Sequence, residues 1–305
     1  MKSSVTKCVL SALAVFQSFI AHAEADSYRF NLSGLGSVQN DSKDTETRSP
    51  ALGLQVFFKP VINDPQQAFD QHEFIQRASN LYLTVIPTEV NTSTLKTQLS
   101  NTNAALTYYL GDMFAKLAYS KGSGDIKLKE TGLNFGDLQI QSSSYAAGYY
   151  LFPQSQILLG VDKTSISATT DIIGVAIPDD VTTKTGLTSK TLWNVGEQQS
   201  LCLELSLSEI SHQYSTTYHN HEANLSLKYY PVPAAYIQLN VTHNQGESKY
   251  DTGLNNSAAA GNSAMLAAGY AFTPRLSVYA AYLNFTATGS STDSHTTLLA
   301  GNYRF

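Results

Sequence analysis

The sequence predicts an all-β protein: an antiparallel transmembrane β-barrel of about 14 strands, with 12 as the alternative. Three observations support this class. Charged side chains make up only 14% of the 305 residues, against roughly 25% in soluble domains. Apolar and uncharged polar residues alternate over many stretches, and aromatic clusters recur along the chain. No apolar run is long enough for a membrane-spanning helix, which excludes a bundle of such helices.

The first segment, residues 1–23, has the features of a secretory signal peptide. It starts with basic residues, residues 8–20 form a short apolar stretch, and residues 21–23 read Ala-His-Ala, a small-x-small cleavage pattern. An uncleaved anchor is the alternative. The expected mature barrel, residues 24–305, has 17 basic and 24 acidic side chains, a net charge of −7 that excludes a basic nucleic-acid-binding surface. Its one cysteine, Cys202, cannot form an internal disulfide and has no activating neighbours in the sequence.

Seven alternating stretches end in a pair or triplet rich in aromatic residues, and a tight-turn signal often follows. The gaps between these endings are 51, 41, 44, 36, 41 and 33 residues, which suits a repeated hairpin of two strands of about ten residues each. Propeller blades have a similar period, but their Trp-Asp and Gly-His signatures are absent. Tyr and Trp favour the membrane–water interface, so we expect one aromatic girdle. Its residues are Phe58, Tyr108, Tyr149, Trp193, Tyr229, Tyr270 and Tyr303.

The stretches between the aromatic endings alternate in polarity, as the wall of a barrel requires. In residues 201–208 and 237–242, Leu, Ile or Val takes every odd position, and mainly polar residues take the even ones. In a barrel in lipid the apolar face points outward, and in a soluble sandwich the apolar faces meet in a core. Aromatic residues at only one end of alternate strands favour the barrel.

The connections alternate in length. Those after the aromatic endings are short, and the others are longer and polar, which is typical of the periplasmic turns and extracellular loops of outer-membrane barrels. The longer ones are 39–49, 122–136, 168–184, 246–257 and 288–294. Fourteen strands would place both termini on the periplasmic side; strand 185–195 has the weakest pattern. The predicted strands are 27–38, 50–60, 79–90, 97–110, 112–121, 138–152, 156–166, 185–195, 201–211, 222–231, 235–245, 262–273, 275–287 and 295–305.

The C-terminus resembles the signal that the outer-membrane assembly machinery reads in bacterial porins. Leu299, Tyr303 and Phe305 lie on one face and end on the terminal Phe, although Gly301 stands where that signal is usually bulkier. Residues 56–80 resemble a family of general bacterial porins of Gram-negative bacteria. The matched positions are Lys59, Pro60, Val61, Glu73, Phe74, Ile75, Arg77, Ala78 and Ser79. The resemblance implies a passive diffusion barrel in the outer membrane, in a family whose substrates are mostly unassigned.

Within this matched segment, Glu73 and Arg77 stand four residues apart. They could pair on a short helix that begins at Asp64-Pro65 and lies under the periplasmic mouth. Such a helix could narrow the pore; the alternative, which we favour, is an ordinary connector in which the pair holds a turn. The sequence does not decide whether segment 62–78 or another loop occludes the pore.

Alternation assigns seven charged side chains to the interior of the barrel. Five are basic and two are acidic, although the mature chain is acidic overall. We therefore expect a lumen that disfavours cations, with acidic residues concentrated in the outer loops; alternatively, the interior charges pair and give no selectivity. The interior residues are Arg29, Lys59, Lys116, Asp162, Glu204, Lys228 and Arg304. The outer acidic residues are Asp41, Asp44, Glu46, Asp179 and Asp180.

Motifs for catalysis or cofactor binding are absent or weak. The sequence has no phosphate-binding glycine loop and no Gly-x-Ser-x-Gly. His219 and His221 would point to one face of a strand, but they lack a clear third metal ligand. Ser294-His295 beside Asp293 could belong to a barrel hydrolase, although adjacency in sequence is not the geometry of a triad. We predict no catalytic residue, no metal site and no cofactor.

The sequence therefore predicts an outer-membrane porin-like channel for passive diffusion of small hydrophilic solutes. About eight strands leave an interior filled by side chains and 16–18 leave an aqueous channel, so 14 favours a narrow wet lumen. A closed structural or adhesive barrel without transport, or a barrel hydrolase, is the alternative. Expected partners are outer-membrane lipid and lipopolysaccharide, the assembly machinery with periplasmic chaperones, and the solutes. Nucleic acid is not expected, and homo-oligomer formation is left open.

Overall fold

The fold is that of a closed antiparallel β-barrel. A computed structural model describes residues 27–41, 45–170, 176–213, 217–248, 260–288 and 293–305. Each strand pairs with the next along the chain, and β1 pairs with β14, so that the sheet closes. The elements, in order, are β1 (Ser27–Asp41), β2 (Glu46–Ile62), α1 (His72–Ile75), β3 (Asn80–Asn91), β4 (Leu95–Leu110), β5 (Met113–Leu128), β6 (Asn134–Phe152), β7 (Ser155–Thr170), β8 (Ala176–Asn194), β9 (Ser200–Gln213), β10 (Thr217–Val232), β11 (Ala235–Ser248), β12 (Ala260–Ala271), β13 (Leu276–Thr288) and β14 (Asp293–Arg304).

The prediction of 14 strands is confirmed, and the alternative of 12 is wrong. The strand with the weakest sequence pattern is β8, which pairs with β9 from Val181 to Asn194. Its outward positions carry Thr and Ser beside Leu187 and Trp193, so its alternation in polarity is faint. Within the described ranges, no helix has the length and hydropathy that crossing a membrane requires.

The strands extend further than predicted at one end of the barrel. We call the end that holds Ser27 and Phe305 the terminal end, and the other the opposite end. At the opposite end, residues 122–127 of β5 pair with 134–140 of β6, in a region predicted to be a loop. The connection between these strands is therefore only residues 129–133. The outward positions there are polar, namely Ser123, Asp125, Asp137 and Gln139, so the apolar outward pattern stops before the hydrogen-bonded ladder does.

Large apolar side chains cover the outside of the barrel. Leu205 and Leu207 of β9 and Leu239 of β11 are exposed. Their neighbours along the strands point inward, where Ser206 hydrogen-bonds Thr188 across the strands at 3.0 Å. An apolar exterior around a polar interior is the arrangement expected in lipid. All the described strands belong to one closed sheet, so the alternative of a sandwich of two sheets is wrong.

Buried apolar side chains are concentrated inside the barrel at the terminal end. They belong partly to the inner faces of the strands and partly to residues 63–79, the connection from β2 to β3, which we call the lumen segment. In this segment Ala68, Phe69 and Phe74 are buried, and Tyr230 of β10, against which the same cluster packs, is fully buried. The connection thus enters the barrel instead of lying outside its mouth.

Candidate functional site: the lumen and the segment that crosses it

The lumen segment contacts strands on opposite sides of the barrel. The Phe69 N–H donates to the carbonyl oxygen of Pro233, between β10 and β11, at 3.0 Å. Glu73 accepts hydrogen bonds from the Tyr28 hydroxyl of β1 at 3.4 Å and from Gln55 of β2 at 3.2 Å. Because β2 and β10 lie on opposite sides of the 14-strand ring, the segment crosses the interior.

Aromatic side chains on the inner wall hold the lumen segment. The ring centroid of Phe74 lies 5.5 Å from that of Tyr150, and Phe69 stacks on Tyr236 at 5.8 Å. The Tyr150 hydroxyl also donates to the Phe74 carbonyl oxygen at 2.7 Å. Such ring pairs each contribute about 1 kcal/mol beyond the burial of their surface. The aromatic pairs at the strand ends therefore have two roles, since Tyr149 points outward while Tyr150 binds the segment.

Asp70 anchors the lumen segment to β10. Its carboxylate forms an ion pair with Lys228 and accepts hydrogen bonds from the Tyr230 hydroxyl at 2.7 Å and from Gln71 at 3.1 Å. Burial alone would raise the pKa of this carboxyl, but the Lys228 ammonium and these hydrogen bonds outweigh it and hold the pKa below its usual value. The pair is thus strongest while Asp70 is charged.

Glu73 and Arg304 hold the side of the segment that faces β1. Arg304 donates from Nη1 to the Phe69 carbonyl oxygen at 2.7 Å. Burial raises the pKa of Glu73, and the charge of Arg304 and the hydrogen bond from Gln55 offset this only in part. The two carboxyls of the segment, Asp70 and Glu73, therefore have pKa values shifted in opposite directions.

The predicted Glu73–Arg77 pair is not formed, and the helix spans only His72–Ile75. Arg77 instead forms an ion pair with Asp112, in the turn between β4 and β5, at 2.5 Å, and its guanidinium lies 4.3 Å from the centre of the Tyr150 ring. Its φ angle of 51° is left-handed, which costs a non-glycine residue about 1 kcal/mol. The prediction that this pair holds a turn is therefore wrong, because Arg77 returns the chain to the rim while Glu73 faces the interior.

The lumen segment lies between two cavities. The larger has a volume of about 880 Å³, extends toward the opposite end and borders Asp70, Glu73 and Phe74. The smaller has a volume of about 190 Å³ and borders Gln67 and Ile75 on the terminal side. The wall of the larger cavity carries amide, hydroxyl and ammonium groups from Asn31, Ser33, Asn80, Tyr82, Thr84, Asn103, Thr107, Tyr109, Lys116, Gln156, Lys190 and Asn302.

Six of the seven charges assigned to the interior by alternation lie on the inward face of their strands. Lys116 borders the larger cavity, whereas Lys228 and Arg304 bind the lumen segment. Glu204 stands opposite Lys190 in the ladder, and Asp162 stands opposite Ser144 and Lys184. Lys59 shares a face of β2 with the buried residues Phe57 and Val61.

Arg29 points outward, and its assignment to the interior is wrong. A bulge lies between Tyr28 and Phe30, where the N–H groups of Arg29 and Phe30 both donate to the Phe305 carbonyl oxygen, at 3.0 and 2.9 Å. The extra residue shifts the alternation, so that Tyr28 and Asn31 face inward and residues 29 and 30 face outward. No sequence signal marks this bulge.

The interior also holds charged residues that alternation did not identify. Lys184 of β8 forms an ion pair with Glu222 of β10 at 2.6 Å, and Lys190 of β8 borders the larger cavity. Asp70 and Glu73 enter the interior on the lumen segment. With these residues the named interior charges are six basic and five acidic, so the expected excess of basic charge falls from three to one, because Asp70 and Glu73 come from the segment and Glu222 from the start of a predicted strand.

The predicted girdle residues point outward near the terminal end. Six of the seven are exposed, with exposed fractions between 38% for Tyr229 and 51% for Tyr108. Tyr303 is only partly exposed and stacks on Phe305 at 6.1 Å. Of the other residues of the predicted assembly signal, Leu299 is exposed on the outside, and Phe305 is buried against Phe30. Recognition of this strand by the assembly machinery stays a prediction.

The predicted outer acidic residues that the structure describes lie at the opposite end of the barrel. Asp41 ends β1 and Glu46 begins β2, while Asp180 lies within β8. Asp44 and the signal peptide, residues 1–23, lie outside the described residues. These acids therefore belong partly to strand ends and not to loops.

The residues considered for other chemistry do not converge. His219 and His221 share the outward face of β10, and His219 lies 3.4 Å from Glu209. Among the described residues, no three His, Cys, Asp or Glu side chains could hold one metal ion. Ser294 and His295 are neighbours on β14 and therefore point to opposite faces of the strand.

The comparisons with known proteins support the fold and assign no family. No family model matches the chain, and no curated protein matches it. Omp33 of Acinetobacter baumannii, an outer-membrane protein, is 14% identical at a TM-score of 0.51, with 92% of this chain and 100% of that chain covered. The monoaromatic hydrocarbon channel CymD is 10% identical at a TM-score of 0.56, with 91% and 89% covered. An outer-membrane channel from Pseudomonas putida F1 is 12% identical at a TM-score of 0.51, with 93% and 97% covered. The chain thus has the fold of bacterial outer-membrane β-barrels.

Proposed function

We propose that this protein is a channel of the Gram-negative outer membrane through which small hydrophilic solutes diffuse passively. The observation that carries the proposal is the larger cavity, a space of about 880 Å³ inside a barrel whose apolar side chains face outward. Amide and hydroxyl groups on its wall can replace part of the hydration shell of a polar solute. Transport would follow the concentration gradient of the solute.

The lumen segment narrows the exit of this channel. It lies between the two cavities and is held by Asp70, Arg77 and Glu73 at three places on the barrel. We therefore expect a small conductance that rises when the segment is displaced.

The outer surface supports a position in the outer membrane. Exposed leucines cover the barrel, and the aromatic girdle would mark the periplasmic interface. Membrane lipid and lipopolysaccharide would then be its surroundings, reached by export on the signal peptide and insertion by the assembly machinery. Two of the similar structures are named as channels, but at 10% and 12% identity they support the fold alone.

A closed barrel without transport is the second candidate. The observation in its favour is how deeply the lumen segment is packed. Tyr230 of β10, which binds Asp70 of the segment, has no exposed surface. In this case the segment would fill the terminal end permanently, and the cavity would be a closed pocket.

Single-channel recording distinguishes the two candidates. Full-length protein, purified in detergent and inserted into planar bilayers, should give discrete conductance steps, and liposomes that contain it should swell faster in small sugars than in large ones. Its gel mobility before and after heating reports whether the barrel is folded. Folded protein with neither conductance nor swelling would favour the closed barrel.

A further inference from the structure

We infer that the larger cavity contains a binding subsite for a small hydroxylated oxyanion, formed by Lys116 of β5, Gln156 of β7 and Lys190 of β8. The inference names the class of solute for the proposed channel and in that respect rests on the proposed function. All three side chains border the same cavity, above Phe74 of the lumen segment.

The carboxylates of this cavity already have partners, whereas its two lysines do not. Asp70 is bound by Lys228 and Tyr230, and Glu73 accepts hydrogen bonds on both oxygens. Within the described part of the chain, Lys116 and Lys190 form neither an ion pair nor a hydrogen bond. Lys116 and Lys190 are therefore the charges on the described wall of this cavity that lack an ion-pair partner.

These ammonium groups are placed to share one anion. The Lys190 nitrogen lies 4.3 Å from the ring centre of Phe74, and the Lys116 nitrogen lies 5.7 Å from that of Phe114. The charges of Lys190 and Glu204 both act on the Lys116 ammonium, the first repelling and the second attracting it. Glu204 stands opposite Lys190 in the ladder but outside ion-pair distance. An oxyanion between the two lysines would relieve their mutual repulsion and supply the partner that neither has.

Gln156 adds a requirement for a hydroxyl group on the ligand. It stands directly opposite Lys190 in the ladder, only 7% of its surface is exposed, and its side-chain oxygen is buried without a hydrogen-bond partner. A buried acceptor of this kind is stabilised by a donor. A ligand with a hydroxyl beside its anionic group would supply this donor, and the volume of the cavity suits a single small molecule.

The binding test uses three probes of similar size. Glucuronate carries a carboxylate, glucose 6-phosphate carries a phosphate, and glucose is neutral. Titration calorimetry on the folded full-length protein in detergent at low ionic strength should detect one or both anions and not glucose, and the relative affinities tell which head group fits. The variants Lys116→Gln and Lys190→Gln should each weaken anion binding by roughly tenfold, the loss of one charge-assisted hydrogen bond. Gln156→Leu should weaken binding of the hydroxylated anions more than that of acetate.

The matched control is Lys121→Gln. Lys121 lies on β5 five residues from Lys116, but on the exposed outward face, so its loss removes the same charge from the same strand without reaching the cavity. Affinity retained in this variant and lost in the two lumen variants supports the subsite. Equal binding of glucose and the anions by the wild-type protein would overturn it, with no need for any variant to fold.

Conductance separates the subsite from the channel. If the barrel binds anions through both lysines but shows no conductance, the proposed channel is wrong and the proposed subsite stands. The opposite result is a protein that conducts but binds no anion, with a reversal potential in a salt gradient that Lys116→Gln and Lys190→Gln leave unchanged. In that case the proposed subsite is wrong and the proposed channel stands.

Discussion

The two halves of the lumen are built from the same alternating strands and yet have different interiors. At the terminal end, inward Tyr and Phe side chains meet the lumen segment, and Asp70 and Lys228 neutralise each other. Toward the opposite end, inward Asn, Ser and Thr side chains surround a cavity, and Lys116 and Lys190, which lack ionic partners, lie where this cavity meets the packed half. One half is packed like a protein core, and the other is lined for water.

This difference shows that the barrel wall and the contents of its lumen follow different sequence requirements. Alternation requires only that one face be apolar, and it leaves the inner face open to either aromatic or polar side chains. The inner rings at the terminal end have no role in the wall itself, since their outward neighbours form the girdle. They are explained by the lumen segment, which needs an apolar surface to bury Phe69 and Phe74.

Of the changes considered, removal of the lumen segment should have the largest effect on conductance, because it removes the contents of the packed half. Replacing residues 64–77 with a short Gly-Ser linker joins the two cavities, so the single-channel conductance should rise roughly threefold or more, because the narrowest part of the path is removed. Planar-bilayer recording measures this directly.

The control for this deletion is a replacement of the same kind at the opposite end. A Gly-Ser exchange of residues 129–133, between β5 and β6, leaves the lumen segment intact and should leave the conductance unchanged. Equal conductance of the deletion variant and the wild-type protein would mean that the segment does not restrict the path.

Breaking the Asp70–Lys228 pair should have the next largest effect. Both side chains are largely buried, and removing one member of a buried pair costs about 3 kcal/mol or more. Asp70→Asn and Lys228→Met should each destabilise the segment and raise the open fraction in bilayers. The double variant should be less affected than the sum of the two, because neither charge then remains alone. Additive effects would show that the pair does not hold the segment.

The pH dependence of conductance tests the two carboxyls of the segment. The pKa of Asp70 is lowered, so its contribution to stability is present above the unfolded value of about 3.9 and is lost as the pH falls through the folded value. The pKa of Glu73 is raised, so its contribution is complete below about 4.3 and is lost as the pH rises through the folded value. Conductance should therefore be lowest at mildly acidic pH and rise on both sides. Glu73→Gln should remove the rise toward alkaline pH, and Asp70→Asn the rise toward strong acid; a profile that neither variant changes would contradict the assignment.

The strands and their outward faces could largely be predicted from the sequence, whereas the position of the lumen segment could not. Leu205, Leu207 and Leu239 indicate the outward face because lipid contact requires apolar residues at every second position. The path of residues 63–79 was not predictable, since it depends on contacts with Tyr150 and Tyr230, far away in the sequence. The inner ring of each aromatic pair was a usable signal, because a lumen lined only for water has no need of it.

Substitutions of Arg77, which lies between the packed half and the turns, should have the smallest effect on the open fraction. Its ion pair with Asp112 is partly exposed, so its loss should cost less than about 1 kcal/mol once solvent screening is included. Arg77→Lys keeps the charge but loses the stacking on Tyr150, whereas Arg77→Gly loses both and relieves the left-handed backbone conformation. If stacking and pairing hold the end of the segment, both variants should raise the open fraction slightly, with the matched outward residue Arg29→Gly unchanged. If relief of the backbone dominates, Arg77→Gly should instead be as closed as the wild-type protein, and bilayer recordings of the three variants decide between these outcomes.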